Sequence, residues 1–155
     1  CGCGGGANIK TLLKLCPKGK VQGIDYSAVS VEKARKVNAS AIAAGRCNVQ
    51  QASVAELPFE AEQFDVVTAF ETVYFWPELA QNFREVYRVL KPGGTFFICN
   101  EANGETAKDD KWTQIINGMT IYTDADLKVY LEQAGFCKIQ NYKNKKGWLC
   151  VTAQK

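Results

Sequence analysis

The sequence predicts an α/β domain with a mainly parallel sheet and an antiparallel hairpin at its end. Three observations predict it. Short apolar runs alternate with longer helical patterns along the 155 residues, as expected of strands joined through crossover helices. A glycine-rich run, Gly2-Cys3-Gly4-Gly5-Gly6, opens the first helical pattern. The last two apolar runs are separated by a short polar turn. A parallel crossover needs about a dozen residues, so that pair must be antiparallel.

The elements follow in order. Asn8 to Cys16 places Ile9, Leu12, Leu13 and Cys16 at helical spacing and is stopped by Pro17 and Gly19. Val21-Gln22-Gly23-Ile24-Asp25 reads as a short buried strand ending in an acid. Ser27 or Ser30 caps a helix expected to run to about Ala44, where Gly45 ends it. Cys47 to Ala52 is a weaker strand pattern and Phe64 to Phe70 a strong one. Pro77 suits a helix start, and that helix is expected to reach Leu90. Pro92-Gly93-Gly94 reads as a turn before a strand from Thr95 to Cys99. Thr123 or Asp124 caps a helix to about Ala134, closed by Gly135. Phe136 to Tyr142 and Trp148 to Thr152 form the final hairpin around the turn from Lys143 to Gly147. The length allows one domain spanning residues 1–155.

Composition excludes several function classes. With 46% hydrophobic and 23% charged residues, the chain has material for a core and is not intrinsically disordered. A net charge of +3 without a basic tract argues against nucleic acid. No apolar run approaches the roughly 18 residues of a membrane span, and the opening is not the charged-then-apolar pattern of a secretion signal. There is no His, which removes the usual general base near neutral pH and the commonest metal ligand. The seven Cys are scattered, odd in number and free of paired CxxC spacings. They read as small buried hydrophobes in a reducing cytoplasm, with no metal expected.

The glycine run carries the first chemistry. Glycine lets the backbone turn tightly and approach a ligand, and the helix start offers free N–H groups to an anion. Asp25 ends the next strand. In a doubly wound sheet that position lies beside a cofactor ribose, where a carboxylate accepts both hydroxyls.

On these residues the chain resembles a class I S-adenosylmethionine-dependent methyltransferase of the small-molecule, ubiquinone-biosynthesis-like kind. Gly2, Gly4 and Gly6 match the family's glycine loop, with Cys3 inside it. Asp25, Tyr26 and Ser27 match the acidic end of its second strand. Val54-Ala55-Glu56-Leu57-Pro58-Phe59, followed by Phe64-Asp65-Val66-Val67, matches the segment linking its third and fourth strands. Arg88-Val89-Leu90-Lys91-Pro92-Gly93-Gly94 matches the turn before the fifth. The resemblance implies a Rossmann-like fold and S-adenosyl-L-methionine as cofactor. It implies Gly2, Cys3, Gly4, Gly6, Asp25, Tyr26, Ser53, Val54 and Glu71 as its binding residues. Ser53 stands where the family often has Asp; its hydroxyl can still accept from the adenine amine. The backbone N–H of Val54 would face the adenine ring. The family also has a central strand ahead of the glycine loop, flanked by the strands at Val21–Asp25 and Phe64–Phe70. This sequence begins too late to contain it, so a longer natural chain or a neighbouring chain is expected to fill that slot, unless the two flanking strands pair directly.

The implied reaction is in-line methyl transfer to a small-molecule acceptor, with the protein supplying alignment and water exclusion. The stretch Phe70-Glu71-Thr72-Val73-Tyr74-Phe75-Trp76-Pro77 follows a strand at the carboxyl edge, where open α/β sheets bind ligands. Its aromatics can shape an acceptor pocket or pack under the next helix. Glu71 and Tyr74 are the candidates for a catalytic base, and Asn100-Glu101 faces the same edge. The insert from Ala102 to Tyr122, with Trp112, Met119, Ile121 and Tyr122, favours a partly apolar acceptor. Neither membrane nor nucleic acid is expected as a partner; a homodimer is compatible with the sequence. Two alternatives stay open. One is a non-catalytic methyltransferase-like fragment or partner subunit. The other is an NAD(P)-dependent oxidoreductase, since Gly2, Gly4 and Ala7 also satisfy G-x-G-x-x-A.

Overall fold

The computed structural model describes residues 1–155, without the side chains of Ala107, Lys108 and Asp110. Its contacts divide into two units, Cys1–Ser53 and Val54–Lys155.

In the first unit, helix α1 (Ala7–Leu15) leads to strand β1 (Val21–Asp25), helices α2 (Ala28–Val37) and α3 (Ala39–Ala43), and strand β2 (Cys47–Gln51). The strands pair in parallel, Val21 opposite Cys47 and Asp25 opposite Gln51. Ile9 and Leu13 of α1 meet Val31 and Ala34 of α2 and Cys47 and Val49 of β2 in one buried cluster. The spacing of these residues along each helix buries a single stripe. Gly23 is needed for that packing, because a Cβ there would stand 2.5 Å from Ile9 Cδ1. Arg46 closes the carboxyl end of α1 by donating to the carbonyls of Leu13 at 3.1 Å and Cys16 at 2.7 Å, where a cation also suits the helix dipole.

The helix expected to run unbroken to Ala44 is instead two helices broken at Asn38. The Asn38 side chain donates to Ala34 O at 2.9 Å and to Gly6 O at 3.0 Å. A short amide that bonds backbone competes with the helix ladder and ends it.

The second unit holds β3 (Phe64–Phe70), a 3-10 turn (Val73–Phe75), α4 (Leu79–Val89), β4 (Leu90–Asn100), α5 (Ala107–Ile115), α6 (Asp124–Gln133), β5 (Cys137–Lys143) and β6 (Leu149–Gln154). Its sheet has the order β3-β4-β6-β5. β3 and β4 run parallel; β6 is antiparallel to both β4 and β5, which bears out the final hairpin. Leu79, Phe83, Val86 and Val89 form the buried stripe of α4. Phe83 meets Phe96 edge-on at 5.4 Å, and Trp76 stacks on Phe96 at 6.2 Å. Burying a side chain such as Phe83 contributes about 1.5–3 kcal/mol. Thr123 and Asp126 cap α6 reciprocally.

Two boundaries differ from expectation. Pro77 does not open α4: Glu78, with φ 45°, is the cap and Leu79 the first helical residue. The run Pro92-Gly93-Gly94 is not a turn before the strand but a bulge within it. Phe64 already pairs with Leu90, and the register then jumps to Val66 opposite Thr95. The two motifs most specific to the family resemblance turn out to hold each other. Arg88 donates to Phe59 O at 2.8 Å and Leu57 O at 3.0 Å, while Leu57 N–H donates to Glu85 at 3.0 Å.

Candidate functional site

The glycine loop folds onto the acidic strand end. Cys3 N–H donates to Ile24 O at 2.8 Å, laying the loop along β1. Gly4 N–H then donates to Asp25 Oδ2 at 2.8 Å, and Ser27 N–H to Asp25 Oδ1 at 3.0 Å. Asp25 is 7% exposed. A carboxylate has about four acceptor positions, so two bonds leave capacity for a ligand's hydroxyls. Gly2, Gly4 and Gly6 all have positive φ, at 67°, 49° and 83°, a region that disfavours any residue with a Cβ. Their surroundings differ. A Cβ on Gly6 would stand 2.6 Å from Asn38 Nδ2 and 2.8 Å from Ala34 Cα, whereas one on Gly4 would meet nothing within 4 Å. Gly6 is therefore required by packing, and Gly4 leaves open space next to the carboxylate. Gly6 is also the N-cap of α1, with no side-chain cap, so first-turn N–H groups remain for an anion. The Cys3 thiol is pushed up by burial and then by Asp25, which keeps it protonated and non-nucleophilic.

These features fit S-adenosylmethionine: an open glycine face, a carboxylate with spare acceptor capacity for ribose hydroxyls, and an uncapped helix start for the carboxylate of its methionine part. Tyr26 is 78% exposed, and its carbonyl accepts from Gln51 Nε2 at 2.9 Å. Ala52 N–H donates to Asp25 O at 3.0 Å, which carries Ser53, an exposed residue, to the end of the first unit. Val54 is half-buried and opens the second unit.

In the second unit Glu71 and Tyr74 come together after β3. Glu71 has φ 56°, a left-handed conformation that costs a non-glycine residue about 1–2 kcal/mol. Its N–H donates to Cys99 O at 2.9 Å, and its Oε1 accepts from Glu101 N–H at 2.5 Å. Tyr74 OH lies 3.4 Å from Glu71 Oε2, 3.2 Å from Ala102 O and accepts from Ala102 N–H at 2.9 Å. Glu71 is exposed along much of its length, yet its carboxyl head is enclosed enough that desolvation pushes its pKa up. Tyr74 is buried, and desolvation followed by the Glu71 charge pushes its phenol far up. A phenol so placed stays protonated at neutral pH and donates hydrogen bonds. Of the neighbouring aromatics, Trp76 packs into the core and Phe75 is 45% exposed.

Sequence reasoning missed Asn38, which buttresses Gly6; an asparagine inside a helical pattern is the signal that marks it. It missed as well that the Ala102 backbone holds Tyr74, for which the side chains carry no signal.

The methyltransferase domain family matches residues 1–98. The chain is 37% identical over 78 residues to the ubiquinone/menaquinone biosynthesis C-methyltransferase UbiE of Geotalea daltonii, covering 50% of this chain and 33% of that protein. It is 30% identical over 97 residues to cycloartenol-C-24-methyltransferase 1 of Oryza sativa, covering 63% and 28%. It thus spans about a third of the length of these curated relatives. A SAM dependent methyltransferase from Aquifex aeolicus has the same fold, with TM-score 0.83 and 21% identity, covering 99% of this chain and 78% of that one. With the glycine loop bound to an acidic strand end and a family match across more than half its length, the chain belongs to the methyltransferase domain family, in the S-adenosylmethionine-dependent class I fold.

Proposed function

We propose that this chain binds S-adenosylmethionine at residues 2–6 and Asp25 and transfers a methyl group, by in-line displacement, to a carbon of a small, partly apolar acceptor. The observation that carries this is the Gly4 N–H bond to Asp25 at 2.8 Å, which sets a carboxylate beside an open glycine face. When bound, the cofactor supplies an electrophilic methyl carbon on its sulfonium. Asp25 receives the ribose hydroxyls, the N-terminus of α1 receives the carboxylate, and Ser53 with the Val54 N–H receives the adenine. Glu71 takes the proton that the methylated carbon gives up, and Tyr74 holds its carboxyl in place. Two relatives named for C-methylation support carbon as the accepting atom. Seven scattered cysteines without paired CxxC spacings support a reducing, cytoplasmic setting; among the described residues no helix is long and apolar enough to cross a membrane.

Titration calorimetry with S-adenosylhomocysteine and with NADH tests the cofactor. Binding of the first alone is expected; binding of NADH would support the oxidoreductase, and binding of neither a non-catalytic protein. Labelled S-adenosylmethionine with naphthoquinol as acceptor then tests transfer to carbon.

A further inference from the structure

Cys99 of β4 and Cys150 of β6 stand directly opposite each other in the antiparallel ladder. The Cys150 thiol donates to Cys99 Sγ at 3.6 Å. Directly opposed residues of an antiparallel pair have Cα atoms about 4.5 or 5.5 Å apart. A disulfide spans Cα atoms about 4.4–6.8 Å apart, so either spacing admits one. The two sulfurs have only to close from 3.6 Å to about 2.05 Å, a change within reach of side-chain rotation.

The sheet face they share decides whether an oxidant reaches them. Alternate residues of a strand point to opposite faces. On the other face Phe96, Ile98, Val151 and Ala153 are all buried. On the thiols' face Phe70, opposite Cys99, is half-buried, as are Phe97 and Thr152. Tyr142, opposite Cys150, is 51% exposed. Cys99 and Cys150 are buried, but under side chains that themselves reach solvent.

We propose that Cys99 and Cys150 are a redox modification site, closed to a disulfide by hydrogen peroxide and reopened by a thiol reductant. One sulfur attacks peroxide and breaks its O–O bond, giving a sulfenic acid and water. The partner thiol displaces the sulfenic hydroxyl as a second water, and the S–S bond forms. Both thiol hydrogens leave in the two waters, and the sulfur pair supplies the two electrons that peroxide takes up. Reopening converts two reductant thiols to their disulfide. Burial pushes the Cys99 thiol up to about 12, and the thiolate is the nucleophile, so closure is slow beside oxidation of an exposed thiol. Contact between the sulfurs sets the product. A sulfenic acid on either one meets the other thiol before the second peroxide that would carry it to sulfinic acid. The cross-link adjoins Glu71, whose N–H donates to Cys99 O at 2.9 Å. It needs neither cofactor nor acceptor, so it stands apart from the methyl-transfer reading.

The test uses the chain carrying Cys16→Ser and Cys137→Ser, which removes the exposed thiols. The folded protein is treated with millimolar hydrogen peroxide, alkylated, and digested without reductant. The peptides holding Cys99 and Cys150 should appear linked and short of two hydrogens, at least about tenfold more abundant than any other cysteine pair. Glutathione added before alkylation should remove the link. The unsubstituted chain, mapped in the same way, should give the same linked pair. Sulfurs that stay open to alkylation, or that reach sulfinic acid unlinked, overturn the proposal, as does pairing with other cysteines to the same extent. A link that glutathione leaves closed marks a structural disulfide and overturns it as well.

Discussion

Asp25 and Glu71 are both carboxylates at the carboxyl ends of parallel strands, and the chain holds them in opposite ways. Asp25 closes β1 as a buried group, with one backbone N–H on each oxygen. Glu71 follows β3 in a left-handed backbone conformation, reaches across to the end of β4, and has its pKa pushed up by desolvation. Desolvation of a carboxyl head, as at Glu71, favours its neutral form. The first arrangement suits a fixed acceptor of hydrogen bonds. The second suits a group that gains and loses a proton, and it carries backbone strain at φ 56°.

The largest expected effect comes from removing the frame around Asp25. Gly6→Ala combines left-handed strain with a Cβ driven into Ala34 and Asn38. It should destabilise the protein by about 2–5 kcal/mol, read as a lowered thermal midpoint. Gly4→Ala has the strain without the collision. It should cost only about 1–2 kcal/mol of stability, yet abolish S-adenosylhomocysteine binding, because its methyl group occupies the ligand's space. Equal loss of stability in both variants would show that Gly4 is also a packing residue.

Asp25→Ala comes next. It should weaken S-adenosylhomocysteine binding by about 1.5–3 kcal/mol, the range for hydrogen bonds to a charged group. Calorimetry showing unchanged affinity would take Asp25 out of the site and leave only the Gly4 and Ser27 bonds as its role.

Glu71→Gln addresses the other carboxylate. As a base Glu71 works when deprotonated, and desolvation raises its pKa. Methyl transfer should therefore rise with pH through a range above the ordinary glutamate value of about 4.3. The sign for folding is opposite. A carboxyl whose pKa is higher folded than unfolded favours the native state below its unfolded pKa and loses that contribution as pH rises through the folded value. In Glu71→Gln the acid limb of kcat/KM should disappear and the rate fall. An intact limb would assign the titration to another group.

The fate of each region tracks what its sequence signals describe. The strand ending in Asp25 and the helix opened by the glycine run were legible because apolar patterning reports strand length and helical period; the bond from Gly4 N–H to Asp25, between residues far apart in sequence, was not. The Leu57-Pro58-Phe59 and Arg88 motifs were legible as a resemblance, while their physical reason, the Glu85 and Arg88 clamp, was not, since the partners are far apart in sequence. The break at Asn38 was hidden because helix periodicity continues through it; only the carbonyl of Gly6 across the fold explains it. The φ of Glu71 and the hold of Ala102 on Tyr74 are backbone features, and no side-chain pattern encodes them. Sequence thus placed both carboxylates at strand ends but could not separate a fixed carboxylate from a strained one.

The smallest effect is the sharpest, because one substitution should act with opposite signs at the two sites. Asp25→Asn replaces one of two acceptor oxygens with an NH2 group. Both Gly4 and Ser27 present fixed backbone N–H groups, so one donor would face another, at a cost of about 1–3 kcal/mol. At Glu71 the same residue meets a different demand. Asparagine tolerates the left-handed region better than other residues with a Cβ, so Glu71→Asn relieves part of the strain. The bonds it gives up are to Glu101 N–H, near the surface, where water can replace the carboxylate, and to a Tyr74 hydroxyl that also reaches Ala102 O. Stability should stay level or rise by up to about 1 kcal/mol, while methyl transfer falls with loss of the base. Denaturant unfolding of both variants gives the comparison directly. If Glu71→Asn destabilises as much as Asp25→Asn, Glu71 is a structural carboxylate like its counterpart, and the strain at φ 56° serves the fold rather than the chemistry.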